Sequence, residues 1–272
     1  MTRRVVDKRR VIVVRSGAAA TTVDELAGEE PMEIRVDGAA VAVTMRTPGD
    51  DFDLALGFCL TEGILESPEQ MATLRYCTAP DEQQYNIVDV GRRIPGPVDE
   101  RLRRNVYTTS SCGLCGTASI DAVRRVTPAL ESAGFAVDVD VVVSLPDRLR
   151  EAQRVFDRTG GLHAAGLFTA DGSLLCARED VGRHNAVDKV IGWAAREGRL
   201  PLSSVVLCVS GRVAFEIVQK ALTAGIPMVV AVSAPSSLAA ALAAEAGMTL
   251  AGFVRNGNMN LYAGADRISG LR

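Results

Sequence analysis

From residue 183 onward the chain alternates short apolar runs with helix-length segments, and no other feature limits its fold as much. Residues 183–196 read as a helix, 204–209 as a strand and 213–224 as a helix. Residues 228–232 then read as a strand, 237–246 as a helix and 250–254 as a strand. Strands separated by helix-length crossovers argue for a layered α/β domain with parallel strands. Just upstream, residues 165–169 and 173–177 flank Asp171-Gly172, a hairpin signal. Residues 146–157 read as a helix with Ser144 as N-cap and Pro146 in the first turn, where a missing N–H costs nothing. Residues 117–126 read as a further helix.

The first third is richer in strands. Residues 11–46 read as extended, with 33–36 and 41–45 joined across Asp37-Gly38. Asp50 or Asp51 is placed to cap a helix that runs through Leu60, and Gly63 to end it. Residues 73–90 read as two more strands, and a charged, proline-containing stretch, 91–104, follows. The expected organisation is a smaller strand-rich N-terminal region (1–107), a short cysteine-bearing loop (108–116) and an α/β domain (117–272).

A formal net charge of −3 argues against a general nucleic-acid or anionic-membrane surface. No apolar run approaches the roughly 18 residues of a membrane span. The basic start (Arg3, Arg4, Lys8, Arg9, Arg10) is followed by too short an apolar run, 11–14, for a secretory signal. A cytoplasmic protein is expected. Six cysteines in 272 residues do not make a disulfide framework. Cys59, Cys77, Cys176 and Cys208 lie in apolar stretches and read as small core residues.

Cys112 and Cys115 differ. They sit in Ser110-Ser111-Cys112-Gly113-Leu114-Cys115-Gly116, among small residues that leave a sulfur accessible. Four chemistries compete for the pair. A structural zinc site needs four ligands, and there is no second C-x-x-C. Zinc deamination would need H-x-E, whereas His163 is followed by Ala-Ala. A thioredoxin-type dithiol belongs after an early strand, and this pair comes over a hundred residues in. Sulfur carriage needs an accessible thiolate of lowered pKa, which the helix start expected at Thr117 could supply.

Three loops could hold an anion: Ser210-Gly211-Arg212, Ser233 to Ser237, and the stretch around Val181-Gly182-Arg183-His184-Asn185. Each follows a strand and precedes a helix, where free N–H groups suit phosphate. Helix capping by serine is the plainer reading of the same serines. No G-x-G-x-x-G or Walker-type sequence is present. His184 and Asp188, four apart, would share a helix face. His163, flanked by glycines, reads as either structural or near a site.

These segments occur together and in order: Ser111-Cys112-Gly113-Leu114-Cys115-Gly116, Glu179 through Lys189, Ser210-Gly211-Arg212, Lys220-Ala221, Ala224-Gly225-Ile226-Pro227, Val232 through Ala239 and Gly252-Phe253-Val254-Arg255. In that combination the chain resembles the FdhD family, the formate dehydrogenase accessory sulfurtransferases. The resemblance implies a cytoplasmic, homodimeric sulfur carrier with a cytidine-deaminase-like, three-layer α/β fold. It would take sulfur from a cysteine desulfurase and deliver it to the molybdenum cofactor, a bis(molybdopterin guanine dinucleotide) species bound as substrate, before insertion into formate dehydrogenase. By the family pattern Cys112 forms the persulfide and Cys115 is its partner. Phe253, Val254, Arg255, Asn256, Gly257 and Asn258 align with a cofactor-contacting stretch, while Arg212 and His184 are ligand candidates on chemistry alone. The alternative is a chaperone that holds the cofactor or the dehydrogenase without sulfur chemistry.

Overall fold

The computed structural model describes residues 4–77, 85–97, 130 and 134–271. The C-x-x-C pair, the helix expected over 117–126 and half of the proline-containing stretch lie outside the described residues.

A six-stranded sheet in the order β13-β12-β11-β10-β8-β9 forms the larger layer structure. Its strands are β8 (His163–Phe168), β9 (Leu174–Asp180), β10 (Val206–Val209), β11 (Met228–Ala231), β12 (Thr249–Arg255) and β13 (Asn258–Ala263). β10, β11 and β12 run parallel, as the alternation predicts, while β8, β9 and β13 pair antiparallel, so the sheet is mixed. Both outer pairs are tight hairpins, which bring the chain straight back beside itself.

The strands bury both faces, as their apolar runs require. One face, carrying Leu167, Leu207, Val229 and Leu250, packs against α4 (Arg183–Arg196), α5 (Phe215–Thr223) and α6 (Ser237–Glu245). The other, carrying Phe168, Val206, Val230 and Val254, packs against Val142, Leu145 and Leu149 of α2 (Val139–Ala152). A two-residue parallel pair, β7 (Val137–Asp138) with β14 (Ile268–Ser269), closes the α2 side.

The helix expected from Pro146 begins earlier. Asp138 caps it, accepting from the Asp140 N–H at 2.9 Å, and Pro146 lies inside it. Ser144 is no cap; its hydroxyl donates to the Val141 carbonyl. After a break at Gln153 the chain forms a separate short helix, α3 (Arg154–Thr159).

A four-stranded sheet, β4-β3-β6-β5, forms the second layer structure: β3 (Glu30–Val36), β4 (Ala39–Arg46), β5 (Met71–Tyr76) and β6 (Ile87–Arg92). Asp37 and Gly38 both take positive φ, 50° and 81°, as the tight hairpin turn demands. Helix α1 (Asp51–Thr61) covers one face through Leu54, Ala55 and Phe58. Its other side lies on α4, so α1 joins the two sheets. Among the described residues the hairpin of β1 (Val6–Arg15) and β2 (Ala18–Ala27) pairs only with itself, and it is held to α3 by Arg158, which grips Glu25 through two bonds of 2.8 and 3.0 Å.

Polar groups knit this junction. Arg46, fully buried, donates two bonds to Asp51. Asp53 receives Arg178 at 2.9 Å and Arg196 at 2.6 Å. Lys220 reaches Asp188 at 2.9 Å, Glu62 at 3.1 Å and the Thr61 hydroxyl at 2.8 Å.

Candidate cofactor site

One edge of the six-stranded sheet collects the functional residues. Strands β10, β11 and β12 end there, β8 begins there because it runs antiparallel, and β9 delivers the chain into α4. A cavity of about 590 Å3 opens at this edge, lined by Gln153, Phe156, His163, Ser210, Val254 and Arg255 among others. Ligands of open α/β sheets bind at this kind of position, outside the carboxyl ends of strands.

The stretch 253–258 forms the tip of the β12–β13 hairpin. Asn256 and Gly257 take φ of 50° and 72°, the two-residue turn that Asn-Gly favours. Phe253 also has φ of 52°, a left-handed backbone that a bulky side chain adopts only at a cost. Its N–H donates to the Ser233 carbonyl, and the Arg255 guanidinium lies 5.9 Å from its ring centroid. Phe253, Arg255, Asn256 and Asn258 also line a second, shallower cavity of about 370 Å3, so Arg255 borders both.

His163 sits where the cavity meets the helix starts. Burial lowers its pKa below the ordinary histidine value; Arg183, His184 and Arg212 lower it further, and Asp180 opposes them. Arg183, His184 and Arg212 therefore all lie within electrostatic reach of His163. Helix α4 begins nearby at Gly182, which supplies no side-chain cap, whereas in the first turn of α5 the Ile217 N–H donates to the Ala214 carbonyl. The Nε of Arg183 and the Nε2 of His184 are buried polar atoms without a hydrogen-bond partner among the described residues.

The structure separates the three candidate loops. In Ser233 to Ser237, Ser236 caps α6 by accepting from the Ala239 N–H, which is the plainer role. Ser210 extends the β8–β10 pairing, its hydroxyl accepting from the Ala164 N–H at 2.9 Å. Gly211 lies against the His163 ring, where a Cβ would come 3.2 Å from Nδ1. Of Ser-Gly-Arg, Arg212 alone is exposed.

The motif from Glu179 to Lys189 is mostly structural. Asp180, fully buried, accepts from Lys189 at 2.8 Å and from the Thr47, Gly182 and Asn185 nitrogens. Glu179 caps α3 by accepting from the Val155 and Phe156 N–H groups. Asp188 turns inward to Lys220 and Thr61 and does not pair with His184. His184 faces Glu216 at 3.7 Å, an ion-pair distance, and draws that carboxyl down to about 2.

Among the four described thiols, burial raises Cys59 and Cys208 far above the ordinary value and Cys176 to about 12. A thiol so raised stays protonated at neutral pH and is a poor nucleophile. The sequence signal missed Gln153 and Phe156, which lie on the α2–α3 corner and carry no motif.

A model of the FdhD/NarQ family matches residues 27–269. The chain belongs to that family. Its FdhD/NarQ relatives include "Sulfur carrier protein FdhD" of Streptomyces coelicolor, 56% identical and covering 98% of this chain and 96% of that one. The protein of the same name from Mycobacterium tuberculosis is 52% identical over 96% of this chain and 98% of its own. A crystal structure from Desulfotalea psychrophila, of a protein assigned by name as a formate dehydrogenase accessory protein, shares the fold. It has a TM-score of 0.77 at 24% identity, covering 97% of this chain and all of that one.

Proposed function

We propose that this protein is a sulfur carrier for formate dehydrogenase, moving sulfur as a persulfide on Cys112 to a nucleotide-bearing molybdenum cofactor. The observation that carries this reading is likeness over nearly the whole chain to relatives named sulfur carrier proteins. The burial of Cys59, Cys176 and Cys208 agrees with it, since none of them offers a thiolate at neutral pH.

The Cys112 thiolate attacks the outer sulfur of a desulfurase persulfide. A new S–S bond forms, the desulfurase thiolate leaves, and Cys112 holds the sulfane sulfur. On delivery the Cys115 thiolate attacks the inner sulfur and expels the outer one as hydrosulfide for the metal centre, leaving a Cys112–Cys115 disulfide that a dithiol reductant must reopen.

The cofactor is the substrate. Its guanine nucleotide arms suit the cavities at the sheet edge. Arg212, His184 and the uncapped start of α4 complement phosphate, and 253–258 forms the rim. The three-layer packing around a mixed sheet supports the cytidine-deaminase-like reading of the fold. The reading includes a homodimer working in the cytoplasm with a cysteine desulfurase and formate dehydrogenase. Among the described residues no helix is long and apolar enough to cross a membrane.

Incubation with a desulfurase and cysteine should add sulfane sulfur to the wild type and none to Cys112→Ala. A Cys112→Ala/Cys115→Ala variant that still fully activates the dehydrogenase would instead favour a non-catalytic chaperone.

A further inference from the structure

The rest of the fold does little to hold the β1–β2 ribbon. Its pairing runs unbroken from Val6–Ala27 to Arg15–Ala18. At the base it is tied down by the Gly28 N–H on the Val5 carbonyl and by Arg158 on Glu25. It joins no larger sheet, so among the described residues both of its outer edges are unpaired. A two-stranded hairpin standing alone is marginally stable in water at best.

Strand β1 is the less protected of the two edges. Val11-Ile12-Val13-Val14 is an uncharged run of β-branched residues, with Ile12 71% and Val14 65% exposed. Natural edges of this kind are shortened, bulged, interrupted by proline or studded with charge. β1 is ten residues long with neither proline nor bulge, and Lys8, Arg9 and Arg10 guard only its basal half. Strand β2 is mostly alanine and threonine, with Asp24 and Glu25 near its base.

The order of charges along β1 selects the occupant. Laid antiparallel on a second β1 with Val11 on the two-fold axis, Arg10 faces Ile12, Arg9 faces Val13, Lys8 faces Val14 and Asp7 faces Arg15. Opposite charges then meet at both ends, no like charges meet, and the aliphatic stems of the basic residues lie along the apolar run. An axis on Arg10 would set that residue against its own copy, and one on Ile12 would set Arg9 against Arg15. Asp7 already holds Arg9 at 2.7 Å on the same strand face, the face that also carries Arg15. Pairing from Asp7 through Arg15 would make about nine backbone hydrogen bonds, close to the roughly ten direct bonds of a typical protein interface.

We propose that β1 is a dimerisation edge: two copies of this chain pair β1 to β1 in that register and merge their ribbons into one four-stranded sheet. This rests on the homodimer proposed above and adds the surface that forms it. The contact is isologous, so each copy supplies the same strand and the assembly closes at two.

Sedimentation velocity of the full-length protein over a dilution series tests this. The wild type should be a dimer, and Val11→Thr should match it. Val11→Lys sets two ammonium groups against each other on the axis and should weaken the dimer tenfold or more. Asp7→Arg should weaken it too, and Asp7→Arg with Arg15→Asp should restore it. Melting temperatures of the isolated monomers should agree, because the ribbon lies outside all three buried clusters. A wild-type dimer that Val11→Lys and Asp7→Arg leave equally tight overturns the β1 interface and leaves the homodimer standing. A charge swap no tighter than Asp7→Arg alone overturns the register and the proposal with it. A wild type that stays monomeric throughout overturns both readings.

Discussion

Gly57 of α1 and Gly192 of α4 meet where the two helices cross, and each occupies the space the other's side chain would need. A Cβ on Gly57 would lie 2.9 Å from the Gly192 nitrogen, and one on Gly192 2.8 Å from the Gly57 nitrogen. The obstacle is backbone on both sides, so no rotamer change relieves it. This crossing sets the distance between the two sheets and thus the orientation of α4, whose first turn reaches the cofactor site.

Gly57→Ala and Gly192→Ala should each destabilise the fold by at least about 3 kcal/mol, beyond ordinary overpacking because helix backbones must separate. Urea unfolding measures this. A loss under about 1 kcal/mol for either variant would contradict the close crossing.

The buried ion cluster below that crossing gives a second expectation. Burial alone would lower the Lys220 pKa, but Asp188 and Glu62 together hold it above the ordinary lysine value. Asp188→Ala should cost about 3–5 kcal/mol, since it strips a buried cation of its nearest counter-charge. Asp188→Leu combined with Lys220→Met should recover most of that loss. Denaturant midpoints of the single and double variants decide it; additive losses would sink the idea.

Phe253 holds a left-handed backbone at the rim of the shallower cavity. Glycine adopts that conformation freely, so Phe253→Gly should keep or raise stability, by up to about 1 kcal/mol. If the strain serves binding, the same variant should bind GDP less tightly. Lower stability with unchanged GDP affinity would make Phe253 an ordinary packing residue.

His163 provides the pH expectation. Its folded pKa lies below the unfolded 6.5. Between the two values the unfolded chain binds more protons, so stability falls as pH drops through 6.5 and levels off below the folded pKa. An anion bound beside Arg183, His184 and Arg212 should raise the His163 pKa by favouring imidazolium. NMR titration with and without pyrophosphate measures the shift; a lower or unmoved pKa on binding would contradict the anion site.

The turns and most elements were legible in the sequence because their signals are local. Asp37-Gly38 sits in the backbone region such turns require, and α4 spans the segment its pattern predicts. Where tertiary packing overrode local chemistry, reading failed. Pro146 signals a helix start, but burial of Val142, Leu145 and Leu149 against the sheet carries α2 through it. His184 and Asp188 share a spacing but not a partner. Nearly all of α4 after Asn185 is buried, so neighbours on every side choose each side chain's contact. Gln153 and Phe156 were invisible because nothing near them in sequence marks a site; only the fold brings them to the cavity.

The most direct test of sulfur carriage is the intact mass of the full-length protein after incubation with a cysteine desulfurase and L-cysteine. The account predicts added sulfane sulfur on the wild type, removable by a thiol reductant, and none on Cys112→Ala. Equal loading of variants lacking Cys112 or Cys115 would contradict it.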